Sequence, residues 1–340
     1  MSIKAFDFFS GCGGTSCGLS MAGMDVVFAL DSDAQALETF QTNFPDATVL
    51  CQDIRSVDEK ILKPLVDSCE EKIIFSGCAP CQPFSRQNRL KTSSDDRKEL
   101  LLEFGRFIRY WTPDYVLVEN VPGLQKISDE GPFFRFLSLL KQLGYEISFG
   151  VLAASSFGVP QKRERLVLLA SLDGLIELPQ PTHGEGLKPF SCVGDWIAGL
   201  PPLNAGEVSL HDPDHQCSKL SALNLKRIKS TPEGGGRNDW PEYLKLECHK
   251  GHSGHTDVYG RLRWNSLASG LTTRCISLSN GRFGHPEQNR AISVREAACL
   301  QTFPMEYNFK GSLVSKAKQI GNAVPPLMAK ALGEQVLKSL

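Results

Sequence analysis

The sequence predicts an α/β protein: a doubly wound, mostly parallel sheet with an antiparallel strand at one edge, plus a smaller irregular second domain. Three observations predict this. Short apolar runs alternate with helical patterns through the first half of the chain, as in a parallel sheet covered on both faces. The last two apolar runs, Tyr145–Leu152 and Arg165–Ser171, have no helical pattern between them, which favours antiparallel pairing. Beyond about Leu172 proline, glycine and histidine become frequent and long periodic helices vanish.

Taken in order, Lys4–Phe9 reads as a buried strand and Thr15–Ala22 as the helix after a glycine-rich turn. Asp25–Leu30 is a strand, Ala34–Asn43 a helix and Ala47–Leu50 a short strand. Lys72–Ser76 is the next strand, Arg97–Tyr110 a long helix, Tyr115–Glu119 a strand and Pro132–Leu143 a helix. Pro179–Gly186 (PQPTHGEG) has the composition of a linker, and Thr231–Asp239 (TPEGGGRND) that of a mobile loop. Helical patterns return at Ser293 and again at Pro326. The expected segments are 1–180, 187–278 and 290–340.

Composition narrows the function classes. Hydrophobic residues make up 41% and charged residues 22%, as in an ordinary water-soluble domain. No apolar run approaches the roughly 20 residues of a membrane helix. The opening MSIKAFDFFSGCGG lacks a signal-peptide pattern, so a cytoplasmic protein is expected. Eleven cysteines, an odd number at irregular spacing, read as free thiols in a reducing compartment. The net charge of -1 gives no global basic excess. Basic residues are nevertheless concentrated locally: His215–Arg263 holds nine Lys/Arg against five Asp/Glu, and Arg86–Lys98 holds five more. Such stretches supply phosphate contacts or are solvated faces.

Three motifs carry chemistry. Phe8-Phe9-Ser10-Gly11-Cys12-Gly13-Gly14 lies between the first strand and the first helix, where glycines let the backbone approach a nucleotide, or simply form a tight turn. Asp31, ending the second strand, is placed to bond a ribose hydroxyl, and Asp53, after the third, to meet an adenine amino group. Gly77-Cys78-Ala79-Pro80-Cys81-Gln82-Pro83-Phe84-Ser85 follows the fourth strand. Its C-x-x-C is a redox pair, half of a zinc site, or a nucleophile loop; a loop continues where a redox motif opens a helix, and no second C-x-x-C completes a zinc site. Val118-Glu119-Asn120-Val121 ends the fifth strand and points a carboxylate into the ligand crevice, or forms a structural ion pair.

With these motifs the chain resembles the DNA (cytosine-5) methyltransferase family, bacterial type, from end to end. FSGCGG, PCQPFS and ENV resemble its cofactor, nucleophile and base-binding motifs. Gln161-Lys162-Arg163-Glu164-Arg165 resembles QxRxR, Arg295–Pro304 resembles REAxxLQxFP, and Gln319–Pro325 resembles the closing GN(A/S)V motif. The resemblance implies a class I methyltransferase, Rossmann-like sheet at 1–180, a target-recognition domain at 187–278 and a C-terminal return to the catalytic domain at 290–340. It implies S-adenosylmethionine as methyl donor, S-adenosylhomocysteine as product, and double-stranded DNA as substrate. A monomer is expected, with a cognate restriction endonuclease acting separately, and no metal.

By the same resemblance Cys81 attacks carbon 6 of a flipped cytosine, because the thiolate is the reactive form of cysteine and its addition activates carbon 5. Glu119 meets ring nitrogen 3, Arg163 and Arg165 hold the base carbonyl and neighbouring groups, and Asn120 braces the loop. Phe9, Ser10, Gly11, Cys12, Gly14, Asp31, Asp53, Ile54, Pro80, Leu100, Asn322 and Val324 line the cofactor site; Asp31 stands where the family usually has Glu, and Ser32 where a large side chain is frequent. Gln82, Ser85, Arg86, Gln87 and Arg97, in the polar stretch Phe84–Arg97, are expected to contact DNA, as are Arg237 and Trp240, the latter alternatively a core residue of the small domain. Cys248–His255 reads as a polar, DNA-facing loop, since its spacing matches no standard closed zinc site.

Three other functions compete. An RNA cytosine methyltransferase of the tRNA-modifying branch carries a Cys-Phe-Thr signature absent from this second domain. A catalytically dead regulatory subunit conflicts with the intact Cys81, Glu119, Arg163 and Arg165. A redox protein would use Cys78 and Cys81.

Overall fold

The computed structural model describes residues 2–80, 99–124, 131–247 and 256–340. The chain divides into two compact units. The first comprises Met1–Ala154, Glu164–Pro181 and Val324–Leu340; the second comprises Ser155–Arg163 and Thr182–Ala323.

The first unit is built on β1 (Ile3–Phe8), α1 (Gly14–Ala22), β2 (Asp25–Asp31), α2 (Ala34–Asn43), β3 (Thr48–Cys51), α3 (Lys63–Val66) and β4 (Lys72–Gly77). It continues with α4 (Leu100–Trp111), β5 (Tyr115–Asn120), α5 (Pro132–Gln142) and β6 (Glu146–Ala153). The short β7 (Gln161–Lys162) belongs to the second unit, and β8 (Glu164–Ser171) returns to the first. The seven-stranded sheet has the order β3-β2-β1-β4-β5-β8-β6, reversing direction of growth at β1/β4 as a doubly wound sheet does. Strands β3 to β5 pair in parallel. As the sequence predicts, β6 and β8 pair antiparallel at one edge, but β8 inserts between β5 and β6, so the outermost strand is β6.

Strand side chains alternate across the sheet. Phe6 and Phe8 of β1 meet Phe28, Phe75, Phe104 and Phe107 at ring-centroid distances of 5.0–5.9 Å, forming the core beneath α4. Each such burial is worth roughly 1.5–3 kcal/mol. On the opposite face α1 packs against the C-terminal helix, α10 (Pro326–Leu337). Gly18 makes that approach possible: a Cβ there would stand 2.4 Å from both the Ala329 Cβ and the Pro326 carbonyl oxygen.

The second unit carries α6 (Val193–Ile197), α7 (Ala222–Lys229), β9 (Ala268–Ser269, paired with β7), α8 (Val294–Leu300) and α9 (Leu313–Asn322). Val324–Leu340 belongs to the first unit and Ser155–Arg163 to the second. Arg295 at the start of α8 binds Asp212 and Asp214, and Lys316 of α9 binds Asp214, tying both helices to the irregular region. A capping box starts α8, with the Ser293 hydroxyl accepting from the Glu296 amide at 3.0 Å and the Glu296 carboxylate accepting from the Ser293 amide at 2.7 Å. That carboxylate also takes two bonds from the buried Arg290.

The Thr231–Asp239 stretch is held rather than loose. The Arg282 guanidinium donates to the Gly234 and Gly235 carbonyls at 2.8 Å, and the Gly236 amide donates to Asp239 at 2.7 Å. Beneath it Arg261 donates to the carbonyls of Ile228, Thr231, His285 and Gln288, and its burial without a carboxylate partner pulls its pKa down to about 10. Among the described residues no helix is long and apolar enough to cross a membrane.

Candidate active site

The carboxyl ends of the parallel strands share one end of the sheet, and β8, being antiparallel, brings its amino end there too. In the first unit this places the Phe9–Gly14 loop, Asp31, Asp53, Cys78–Pro80, Glu119, Asn120 and Arg165 along one rim. Such a rim is where open α/β sheets bind ligands.

The loop after β1 is strained and braced. Phe9 has φ 57°, a conformation uncommon for a bulky residue and a marker of functional geometry. The Gly11 amide donates to an Asp31 carboxylate oxygen at 2.8 Å and the Asp33 amide to the other at 2.8 Å. Asp31 thus organises the loop, while a carboxylate's further lone pairs remain for a ligand. Its desolvation raises its pKa, opposed by the amides of Asp33 and Gly11. Above Gly11 (φ 53°) a Cβ would meet nothing within 4 Å, so space is open there. The Ser10 hydroxyl is buried and has no hydrogen-bond partner among the described residues.

Other expected cofactor contacts divide. Phe9, Gly11, Asp31, Asp53 and Pro80 present surface, whereas Cys12, Gly14, Ile54, Leu100 and Val324 are buried. Cys12 is 2% exposed and its thiol is pushed up by burial, so only its backbone is available to a ligand. Ile54 is packed into the core of the first unit, which leaves its side chain no free surface. Asp53 caps the turn Ile54–Ser56 and is claimed by Arg55, whose guanidinium hydrogen bond lowers its pKa. In the second unit Asn322, at the end of α9, is exposed.

At the end of β5 the Glu119 carboxylate forms an ion pair with Arg165 at 2.7 Å, both largely buried. The Asn120 side chain donates to the Ala79 carbonyl at 3.0 Å and accepts from the Val121 amide at 2.8 Å. It therefore ties the end of β5 to the segment that follows β4. Cys78 in that segment lies 3.3 Å from the Thr15 hydroxyl, and desolvation together with the charges of Glu119 and Asp7 raises its thiol pKa well above 9.0.

Arg163 is buried within the second unit, donating to the carbonyls of Leu271 (3.2 Å), Gly321 (3.3 Å) and Ala323 (3.1 Å). Trp240 and Arg237 are 3% and 6% exposed. The Trp240 indole donates to Thr231 at 2.8 Å and stacks under Arg227, so it serves the core of its unit. Cys81, Gln82, Ser85, Arg86, Gln87, Arg97 and the stretch Cys248–His255 lie outside the described residues. Among the described residues no cluster of His, Cys, Asp or Glu is arranged to hold a metal.

One buried acid escaped the sequence reading. Asp7 sits fully buried in β1, bonded by Ser16 and Ser76. Its sequence signal is an acid inside the apolar run IKAFDF.

A sheet of this order with a glycine loop after β1 and an acid–arginine pair beyond β5 defines a class I methyltransferase fold. Solved structures share it: a prophage-encoded E. coli DNA modification methyltransferase superposes with a TM-score of 0.78 over 99% of both chains at 24% identity. Spodoptera frugiperda DNMT2 gives 0.65 at 20% identity, covering 99% of this chain and 98% of its own. The family model for C-5 cytosine-specific DNA methylases matches residues 3–338. The Type II methylase M.HgiDII of Herpetosiphon aurantiacus is 41% identical over 98% of this chain and 94% of its own length. The Type II methyltransferase M1.HphI of Haemophilus parahaemolyticus is 36% identical over 99% and 87%. The chain belongs to the C-5 cytosine-specific DNA methylase family.

Proposed function

We propose that this protein transfers a methyl group from S-adenosylmethionine to carbon 5 of a flipped cytosine in duplex DNA, for restriction-modification or host-DNA marking. The observation that carries the reading is the Glu119–Arg165 pair beside Asn120, which is bonded to Ala79 two residues before Cys81. The rim of the first unit suits the methyl donor: open space above Gly11, a buried Ser10 hydroxyl unpartnered among the described residues, and an acid braced against the loop. When bound, S-adenosylmethionine supplies an electrophilic methyl group.

The residues of the chain do the rest. Cys81 adds as thiolate to carbon 6 of cytosine, which places electron density on the ring and activates carbon 5; once carbon 5 carries the methyl group, a base takes the carbon 5 proton and Cys81 leaves as thiolate, restoring the aromatic ring. Glu119 stabilises that density by a hydrogen bond or proton at ring nitrogen 3. Arg165 fixes the Glu119 carboxylate in position, and Asn120 holds the segment leading to the nucleophile. Phe9, Ser10, Gly11, Asp31 and Pro80 supply the cofactor contacts of the first unit. Target recognition belongs to the second unit; Gln82, Ser85, Arg86, Gln87 and Arg97 contact DNA. The enzyme acts as a monomer, and a cognate restriction endonuclease acts separately.

The test is methyl transfer from labelled S-adenosylmethionine to duplex DNA, with tRNA and the Cys81→Ser variant alongside. Label in DNA cytosine that is lost in the variant supports the reading. Label in tRNA alone moves the protein to the RNA branch, and no label in either nucleic acid sinks the enzymatic reading.

A further inference from the structure

The first turn of α1 has no cap of its own. Its N-cap residue is Gly13, which has no side chain to receive the free amides of the turn. A carboxylate from the neighbouring strand takes that place. Asp7 lies in β1 with 0% exposure, and one of its oxygens accepts from the Ser16 hydroxyl at 2.6 Å. The other accepts from the Ser76 hydroxyl at 2.8 Å. Asp7 and Ser76 are register partners across β1 and β4, so both side chains leave the same face of the sheet. A second tie runs parallel to the first, from the Thr15 hydroxyl in the same turn to the Cys78 thiol just beyond β4.

We propose that Asp7 is a positioning residue with two arms: through Ser16 it sets the Ser10–Gly14 loop, and through Ser76 it sets the Cys78–Pro80 segment that leads to the nucleophile. The inference rests on the proposed methyl transfer for its kinetic consequences, but not for its structural ones. The arms are short, charge-assisted and shielded from water, conditions under which hydrogen bonds are strongest. Burying a carboxylate is costly, and an apolar residue would fill the same strand position more cheaply. What the acid supplies is a fixed distance between a helix turn and a strand end, each of which continues into a different part of the rim. Asp7 touches neither the base nor the methyl donor in this account; it acts through the two serines.

The arms predict separable effects. Ser16→Ala should raise the KM for S-adenosylmethionine more than it lowers kcat, and Ser76→Ala should do the reverse. Asp7→Asn should do both, by about tenfold each, the loss expected for a buried charge-assisted bond. Amide hydrogen exchange supplies a readout independent of activity. Ser16→Ala should speed exchange in the first turn of α1, Ser76→Ala at Cys78 and Ala79, and Asp7→Asn in both places. If wild-type protein neither binds S-adenosylmethionine nor methylates DNA, methyl transfer fails as the function while exchange still tests the clamp. Equal exchange and equal KM and kcat changes in the two serine variants, or a loss of thermal stability alone, overturn the proposal. The serine variants remain informative even if Asp7→Asn does not fold.

Discussion

Glu119 and Arg165 meet at 2.7 Å across the antiparallel β5–β8 pair, where an amino-terminal strand end reaches the rim formed by the carboxyl ends of the parallel strands. The insertion of β8 is what brings the arginine to the carboxylate. Glu119→Gln should lower kcat by about a hundredfold or more, the range of a lost general acid. Arg165→Ala should lower kcat comparably, and the double variant should be no worse than either, because the two act as a unit. Removing the arginine alone should also destabilise the fold by about 3 kcal/mol by leaving a buried charge unpaired, with part recovered in the double variant. Labelled methyl transfer and urea unfolding check both halves.

Arg163 should behave differently although it lies two residues away. Its donors go to the backbone carbonyls of Leu271, Gly321 and Ala323. Arg163→Ala strands those buried acceptors and should cost about 3 kcal/mol of stability. Arg163→Lys, with a single ammonium in place of a fork, should recover only part of it. A variant that keeps wild-type stability in denaturant titration but loses turnover would return Arg163 to the base-holding role that its motif suggests.

The difference between these two arginines shows what the sequence carries. The alternating pattern exposed the sheet, and the motifs located the rim, because strand period and turn chemistry are local properties. Arg163 and Arg165 look equivalent in QKRER; only the partition of β7 and β8 into different units separates them. Trp240 was legible as either a contact or a core residue, and the deciding partner, Thr231, is a matter of packing. Asp212 and Asp214 hold α8 and α9 through ion pairs spanning some eighty to a hundred residues, which no local pattern announces.

Cys78 offers a test of the redox alternative. Its thiol is desolvated and faces the charges of Glu119 and Asp7, so it stays protonated at neutral pH and is a poor nucleophile. Cys78→Ser should keep most methyl-transfer activity, and the wild-type Cys78 should resist alkylation by iodoacetamide in the folded protein. Rapid labelling of Cys78, identified by peptide mass, or loss of activity in the variant, counts against the assignment.

Gly18 should tolerate no side chain. The Cβ of Gly18→Ala would stand 2.4 Å from the Pro326 carbonyl oxygen and 2.7 Å from the Lys330 amide, both backbone atoms that can move only if α10 moves. The cost should be about 1–3 kcal/mol, typical of overpacking. Calorimetry should show a lower melting temperature. Hydrogen exchange should show the loosening concentrated in α1 and α10, and unchanged protection of α10 would mean that the strain is absorbed elsewhere.

Two buried groups should give opposite pH slopes over one window. Burial raises Asp7 from 3.8 to about 6, so between those values the folded state holds a proton that the unfolded state has released. Stability from Asp7 is therefore fully present below about pH 4 and lost as pH rises through 6, about 3 kcal/mol in all. His285 runs the other way. Its Nδ1 accepts from the amides of Glu287 and Gln288, which fits only the neutral ring with its proton on Nε2, and burial lowers its pKa from 6.5 to about 4. Its contribution is present above about pH 6.5 and lost as pH falls through 4. The wild type should consequently show a shallow profile between pH 4 and 6 from this pair, whereas Asp7→Asn leaves the histidine unopposed and should lose stability more steeply on acidification. Urea unfolding of both proteins at half-unit pH steps measures the difference; parallel profiles would place the Asp7 proton affinity near that of an ordinary carboxylate.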